Sequence, residues 1–213
     1  NLRLTVAYDG TDFYGWQVQA EGRTVQGEVM KALERMHRHE VKVYAAGRTD
    51  SGVHADGQVI SFRTDIDSIP AADYHVALSS YLPRDIQAIA SREVAQDFHA
   101  RYSAIRRCYR YSWTWARTVP PAIRHRVTKL KYRPCIRRLN KLARPILGAH
   151  DFSTFTLPSE PSENRVRRVE QASFFPQDGL IVFEISANAF LWRMVRSIAG
   201  TLIELDKLAA EPV

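Results

Sequence analysis

Apolar residues along this chain recur at two spacings, and the order of those spacings is the strongest constraint on its fold. Leu2, Leu4, Val6 and Tyr8 fall at every second position, which predicts a strand with all four on one face. A loop rich in Gly, Asp and aromatics follows from Asp9 to Gly22. Val25, Val29, Leu33 and Met36 then recur at helical spacing, with Thr24 placed to cap the helix. Strands are expected from Val41 to about Ala46 and from Gln58 to Thr64, the latter with Ile60 and Phe62 on one side. A helix near Ala72 to Tyr81 and a strand near Ile86 to Val94 close the first half. The order is β-α-β-β-α-β, the split-βαβ or ferredoxin-like arrangement.

The second half repeats it. Arg107 to Ala116 reads as a long strand, followed by Pro120-Pro121 and a basic linker. Ile136, Leu139, Ala143 and Ile146 form a helical stripe. Strands are expected near Arg165 to Phe175 and Leu180 to Ser186, turned by Gln177-Asp178-Gly179. A helix from about Phe190 to Leu205 would bury Leu191, Met194, Val195, Ile198, Leu202 and Leu205. One more strand is due where the sequence ends at Val213: either that strand was lost or the sequence is incomplete, and the second reading is favoured. The expectation is an α+β protein of two ferredoxin-like halves, residues 1–97 and 98–213. They would share a mostly antiparallel sheet, with helices on one face and a cleft on the other.

Charge narrows the function. The chain carries 30 Lys and Arg against 23 Asp and Glu, a net charge of +7. Fourteen of those cations lie between Phe98 and His150, a stretch without a single acid. Such a stretch suits a polyanion, and nucleic acid is the leading candidate. No apolar run reaches the roughly 18 residues of a membrane span, and Asn1-Leu2-Arg3-Leu4 enters a strand without the pattern of a signal peptide. Cys108 and Cys135 are the only cysteines and form no C-x-x-C pair, which argues against a disulfide framework or zinc site. A reducing, cytoplasmic setting follows.

The chemistry centres on Gly47-Arg48-Thr49-Asp50-Ser51-Gly52-Val53-His54-Ala55, directly after the second strand. Two glycines bracket one carboxylate, so the backbone turns sharply and holds Asp50 out at the end of a sheet. Arg48 lies two residues earlier, on the same side of an extended segment. A guanidinium there keeps Asp50 an anion, as a nucleophile requires. In the strand from Arg107, Tyr109, Tyr111, Trp113 and Trp115 alternate with Cys108, Arg110, Ser112 and Thr114. The Trp pair reads as core. Tyr109, nearest the basic start, is placed to stack on a base or move a proton.

Other residues read as structural. His54 is expected to hydrogen-bond within the Asp50 loop, and His99 to support the geometry of Phe98-His99-Ala100-Arg101. His37-Arg38-His39-Glu40 lacks the H-E-x-x-H spacing, sits at a helix end and reads as solvated surface. Gly10 and Gly15 make no phosphate loop, since no G-K-[ST] follows. An aspartic protease would match Asp50-Ser51-Gly52 but needs a second triplet, and an adjacent Arg would spoil proton sharing. A zinc deaminase lacks its P-C-x-x-C here. A non-catalytic, basic RNA-binding protein is the remaining alternative.

The nine-residue segment resembles the active-site signature of the tRNA pseudouridine synthase A family. Further matches are Tyr8-Asp9-Gly10-Thr11 with Gly15-Trp16-Gln17, and Thr24-Val25-Gln26-Gly27-Glu28. Phe98-His99-Ala100-Arg101-Tyr102-Ser103-Ala104, Tyr109-Arg110-Tyr111 and Ala187-Asn188-Ala189-Phe190-Leu191 with Met194-Val195-Arg196 also fit, in family order from Leu2 to about Leu205. The resemblance implies a uridine-to-pseudouridine isomerase acting at positions 38, 39 and 40 of the tRNA anticodon stem-loop, without cofactor or metal. It implies a homodimer in which one tRNA touches both subunits. Asp50 would be the nucleophile, Arg48 its ion-pair partner and holder of the displaced base, and Tyr109 the ring that stacks on the uracil. The family's closing Gly-Leu-rich strand has no counterpart in this sequence.

Overall fold

The computed structural model describes residues 1–210. They form two compact α+β units, Asn1–Ala104 and a second beginning at Ile105, each with its own hydrogen-bonded sheet.

In the first unit β1 (Leu2–Tyr8), α1 (Val25–His37), β2 (Tyr44–Ala45), β3 (Ala55–Phe62), α2 (Tyr74–Ser79) and β4 (Ile86–Glu93) follow in the order read from the spacing. The sheet order is β2-β3-β1-β4 and every pairing is antiparallel. β1 and β2 therefore run the same way with β3 between them, which is the split βαβ. Leu2, Leu4, Val6 and Tyr8 are each at most 3% exposed, and Val25, Val29 and Leu33 of α1 join the same core. Truncating Leu33, fully enclosed there, to Ala would cost about 2–5 kcal/mol. The Thr24 side chain accepts the Gly27 amide at 3.3 Å, satisfying one of the unpaired donors at the helix start. The strand expected over 41–46 contracts to two paired residues at the sheet edge. Val41 and Val43 still bury their side chains, so their alternation reports packing without a ladder.

The second unit contains β5 (Arg107–Thr114), β6 (Thr128–Lys129), α3 (Ile136–Ala143), β7 (Gly148–Asp151), β8 (Val166–Gln177), β9 (Leu180–Ala187) and α4 (Met194–Leu208). Its sheet order is β6-β5-β9-β8-β7, antiparallel except for β6 beside β5. The sheet expected to run through both halves is thus observed as two ladders, one in each unit. Asp178 and Gly179 both have positive φ (50° and 77°), the backbone that closes a two-residue hairpin between right-twisted strands. Trp113 stacks between Tyr111 and Phe174 in the core. Trp115 does not join it: β5 has ended at Thr114, and the ring is 39% exposed beneath the Arg133 guanidinium. Helix α4 starts at Met194, after Arg193 in a left-handed conformation, and not at Phe190. Leu205 is exposed. It sits at the rim of the buried arc, whose last turn is filled instead by Ile203 and Asp206. The further strand expected after α4 falls on residues outside those described. Among the described residues no helix is long and apolar enough to cross a membrane.

Candidate active site

Asp50 lies in the connection between β2 and β3, at one end of the first unit's sheet, and is exposed, as is Arg48. The loop is not held by its own turn alone. The Val53 amide donates to the Asp50 carbonyl at 3.2 Å, and Gly52, at φ 77°, supplies the left-handed residue that such a turn needs. Gln58 of β3 donates to the Gly47 carbonyl at 2.5 Å and braces the other side.

The loop after β1 clamps it from the flank. The Trp16 amide donates to the Thr49 carbonyl (3.0 Å), and the Gly52 amide and Ser51 hydroxyl donate to the Phe13 carbonyl (both 3.2 Å). Tyr8 and Thr49 join their hydroxyls at 2.8 Å. Phe13 and Trp16 are buried, so these anchors belong to the core and do not sway with solvent. Two glycines permit this closeness. A Cβ on Gly10 would sit 2.1 Å from the Val53 carbonyl oxygen, and one on Gly15 would sit 2.7 Å from that of Thr49. The Gly10 amide also donates to Nδ1 of His54 at 3.2 Å, and that nitrogen lies 3.1 Å from Asp9 Oδ1. His54 therefore ties the two loops together, the structural role expected of it. His99 accepts the Arg101 amide on its own Nδ1 at 3.1 Å, again shaping a loop. Its ring also lies between Tyr44 and Tyr102, with centroids 4.4 Å and 4.5 Å away. Tyr44 and Tyr102 are both exposed.

The second unit carries Tyr109. It shares a face of β5 with Tyr111 and Trp113, is half-buried, and meets Phe190 edge-on at 5.2 Å. Most of the fourteen cations of the basic stretch are exposed here. Arg110 is paired with Glu184 (2.7 Å) and Arg138 with buried Asp206 (2.6 Å), so those two serve the fold as well as the surface charge.

A fixed, exposed carboxylate with an arginine two residues away, and a strongly basic second unit, suit chemistry on a polyanionic substrate. The comparisons with known proteins point the same way. The family described as tRNA pseudouridine synthase matches residues 4–103 and 142–212. The chain belongs to the tRNA pseudouridine synthase family. It is 42% identical to the tRNA pseudouridine synthase A of Treponema denticola, over 99% of this chain and 80% of that protein. It is 44% identical to that of Moorella thermoacetica (99% and 86%) and 40% identical to that of Borrelia hermsii (98% and 84%).

Two features escape the sequence-level reading. Gly10 and Gly15, set aside there as failing a phosphate-loop pattern, are close-approach glycines beneath the Asp50 loop. Nothing local marks them, because their partners are some forty residues away in the chain. His37, read as solvated surface, is buried, with its side chain fully enclosed. It contacts Asp65 and Tyr74, and His37 first and His39 second hold the Asp65 carboxyl down at about 2 by hydrogen bonding.

Proposed function

We propose that this chain isomerises uridine to pseudouridine in the anticodon stem-loop of tRNA, as a cytoplasmic homodimer, with Asp50 as nucleophile. The observation that carries the reading is the placement of Asp50: exposed, on a loop clamped to the core at Thr49, Ser51 and Gly52.

The physical requirements follow in order. A stacked uridine hides its glycosidic bond, so the nucleotide is flipped out at a cost of a few kcal/mol. Phosphate contacts from the basic second unit offset that cost and supply affinity with little sequence reading. Asp50 either bonds to C1′ as the N1–C1′ bond breaks and is displaced again when C5 bonds there, or takes the C2′ proton so that uracil leaves by elimination and returns that proton to C2′ as C5 bonds to C1′. The freed uracil rotates and bonds to C1′ through C5. The C5 proton leaves and N1 regains one, so the product is an isomer of the substrate. Arg48 serves the anion and the displaced base, and Tyr109 stacks on the uracil to keep it from escaping.

Asp50→Asn tests the reading. Its amide fills the same space but cannot attack. Tritium release from C5-labelled tRNA is expected to vanish while tRNA binding stays within about twofold of the parent, since binding rests on phosphate contacts elsewhere. Turnover within tenfold of the parent refutes the role of Asp50. Loss of binding together with turnover favours a scaffold role for the loop.

A further inference from the structure

We propose that His37, His39 and Asp65 form a binding site for one divalent transition-metal ion of the zinc class, which fastens the end of α1 to the segment after β3. The inference is independent of the isomerase reading.

The three residues come from two places. His37 is the last residue of α1, His39 follows it by two, and Asp65 lies beyond the end of β3. Their donor atoms all fall within 4.8 Å of one another. His37 Nδ1 is 2.6 Å from Asp65 Oδ1, and His39 Nε2 is 2.9 Å from Oδ2. A bound ion needs ligand distances of about 2.0–2.2 Å, so modest side-chain rotation makes room for one between these atoms. Imidazole and carboxylate together suit Zn²⁺, Co²⁺ and Ni²⁺.

Three further observations favour a metal over a surface hydrogen-bond cluster. The other ring nitrogen of His37, Nε2, is 2.5 Å from the Tyr74 hydroxyl, which also contacts Thr64 Oγ1 at 3.2 Å. That is the outer-shell support that fixes a ligating histidine's tautomer and ring plane, leaving Nδ1 for the ion. Arg38 adopts a left-handed conformation (φ 64°), unfavourable for a residue with a side chain, and this turn brings His39 back beside His37. The site also sits at the C-terminal end of α1, where unpaired carbonyls and the helix dipole favour a cation. His37 is enclosed, whereas His39 and Asp65 are 54% and 63% exposed, so solvent can complete a tetrahedral shell.

The test titrates the full, tag-free chain with Co²⁺ and follows the visible bands of tetrahedral coordination, then repeats the titration in His39→Ala and Asp65→Asn. Both residues are exposed, so the variants are expected to fold. One equivalent per chain is expected to bind, with affinity falling roughly tenfold or more in each variant. Zn²⁺ should raise the melting temperature of the parent by several degrees and leave the variants unchanged. Absent bands, or bands of equal strength in parent and variants, overturn the proposal.

Discussion

Tyr8, buried on β1, and Thr49, the residue before Asp50, share a hydrogen bond of 2.8 Å. The bond ties the proposed nucleophile's loop to a strand paired on both sides, so the loop inherits the rigidity of the sheet. Tyr8→Phe keeps the ring against Trp16 and removes only the tether. Stability should fall by about 0.5–1.5 kcal/mol. Single-turnover rate should fall more, about tenfold, because catalysis is sensitive to sub-ångström placement. An unchanged rate in rapid-quench measurements would show that the clamps at Trp16 and Phe13 suffice without it.

Alanine at Gly10 or Gly15 should abolish turnover. The added Cβ meets backbone oxygen at 2.1 Å or 2.7 Å, and Gly15 also holds φ 90°, so the Asp50 loop must move away. Hydrogen exchange should show lost protection at the Gly52 and Val53 amides. Gly200→Ala is the contrasting control. Gly200 lies inside α4, and its Cβ meets nothing within 4 Å. That change should stabilise the protein by about 0.5–1 kcal/mol with activity unaltered, read by urea denaturation and tritium release.

In the second unit, Asp206 is fully buried, and its carboxylate accepts Arg138 Nε at 2.6 Å and the Cys135 amide at 3.1 Å. Arg138→Met leaves that carboxylate without its counter-ion, held by the Cys135 amide and the Tyr132 hydroxyl, and should cost about 3–5 kcal/mol. Asp206→Asn should cost less, since the Arg138 side chain is 32% exposed and can turn to water. Urea midpoints for the two variants, followed by a signal from the second unit, give the ranking. The reverse order would mean that the guanidinium, and not the carboxylate, is the group that burial penalises.

Legibility in the sequence followed the range of the interactions. The α1 stripe with its Thr24 cap, the β1 alternation and the Asp178-Gly179 turn are each decided within a few neighbouring residues, and all are found where the spacing puts them. β6 and β7, two and four residues long, are too short to carry an alternation that separates them from loop. The Asp50 loop was readable because its turn residues and its arginine lie within the same nine positions. Its clamps were not, since the closeness of Gly10 to Val53 exists only after β1 and β3 have paired. His37 was misread for the same reason: its position at a helix end suggests solvent, and its burial comes from Tyr74, thirty-seven residues on.

Acid should loosen the second unit at Glu160. Burial opposes ionisation of this carboxyl, but the Trp192 amide (2.6 Å), the hydroxyl and amide of Ser162 (the amide at 3.0 Å) and the Arg167 charge outweigh it and hold it below its ordinary value of 4.5. A carboxyl depressed in the folded state stabilises the fold fully above its unfolded value, and that contribution disappears as pH falls through the folded one. Glu160→Gln keeps an acceptor oxygen and removes the charge. The parent should therefore melt higher than the variant at neutral pH, with the gap closing below about pH 4 as Glu160 itself becomes neutral. Comparing the two proteins cancels every other titrating group. A gap that stays constant from pH 7 to about pH 3 would mean that shape, and not charge, makes Glu160 fit against Trp192.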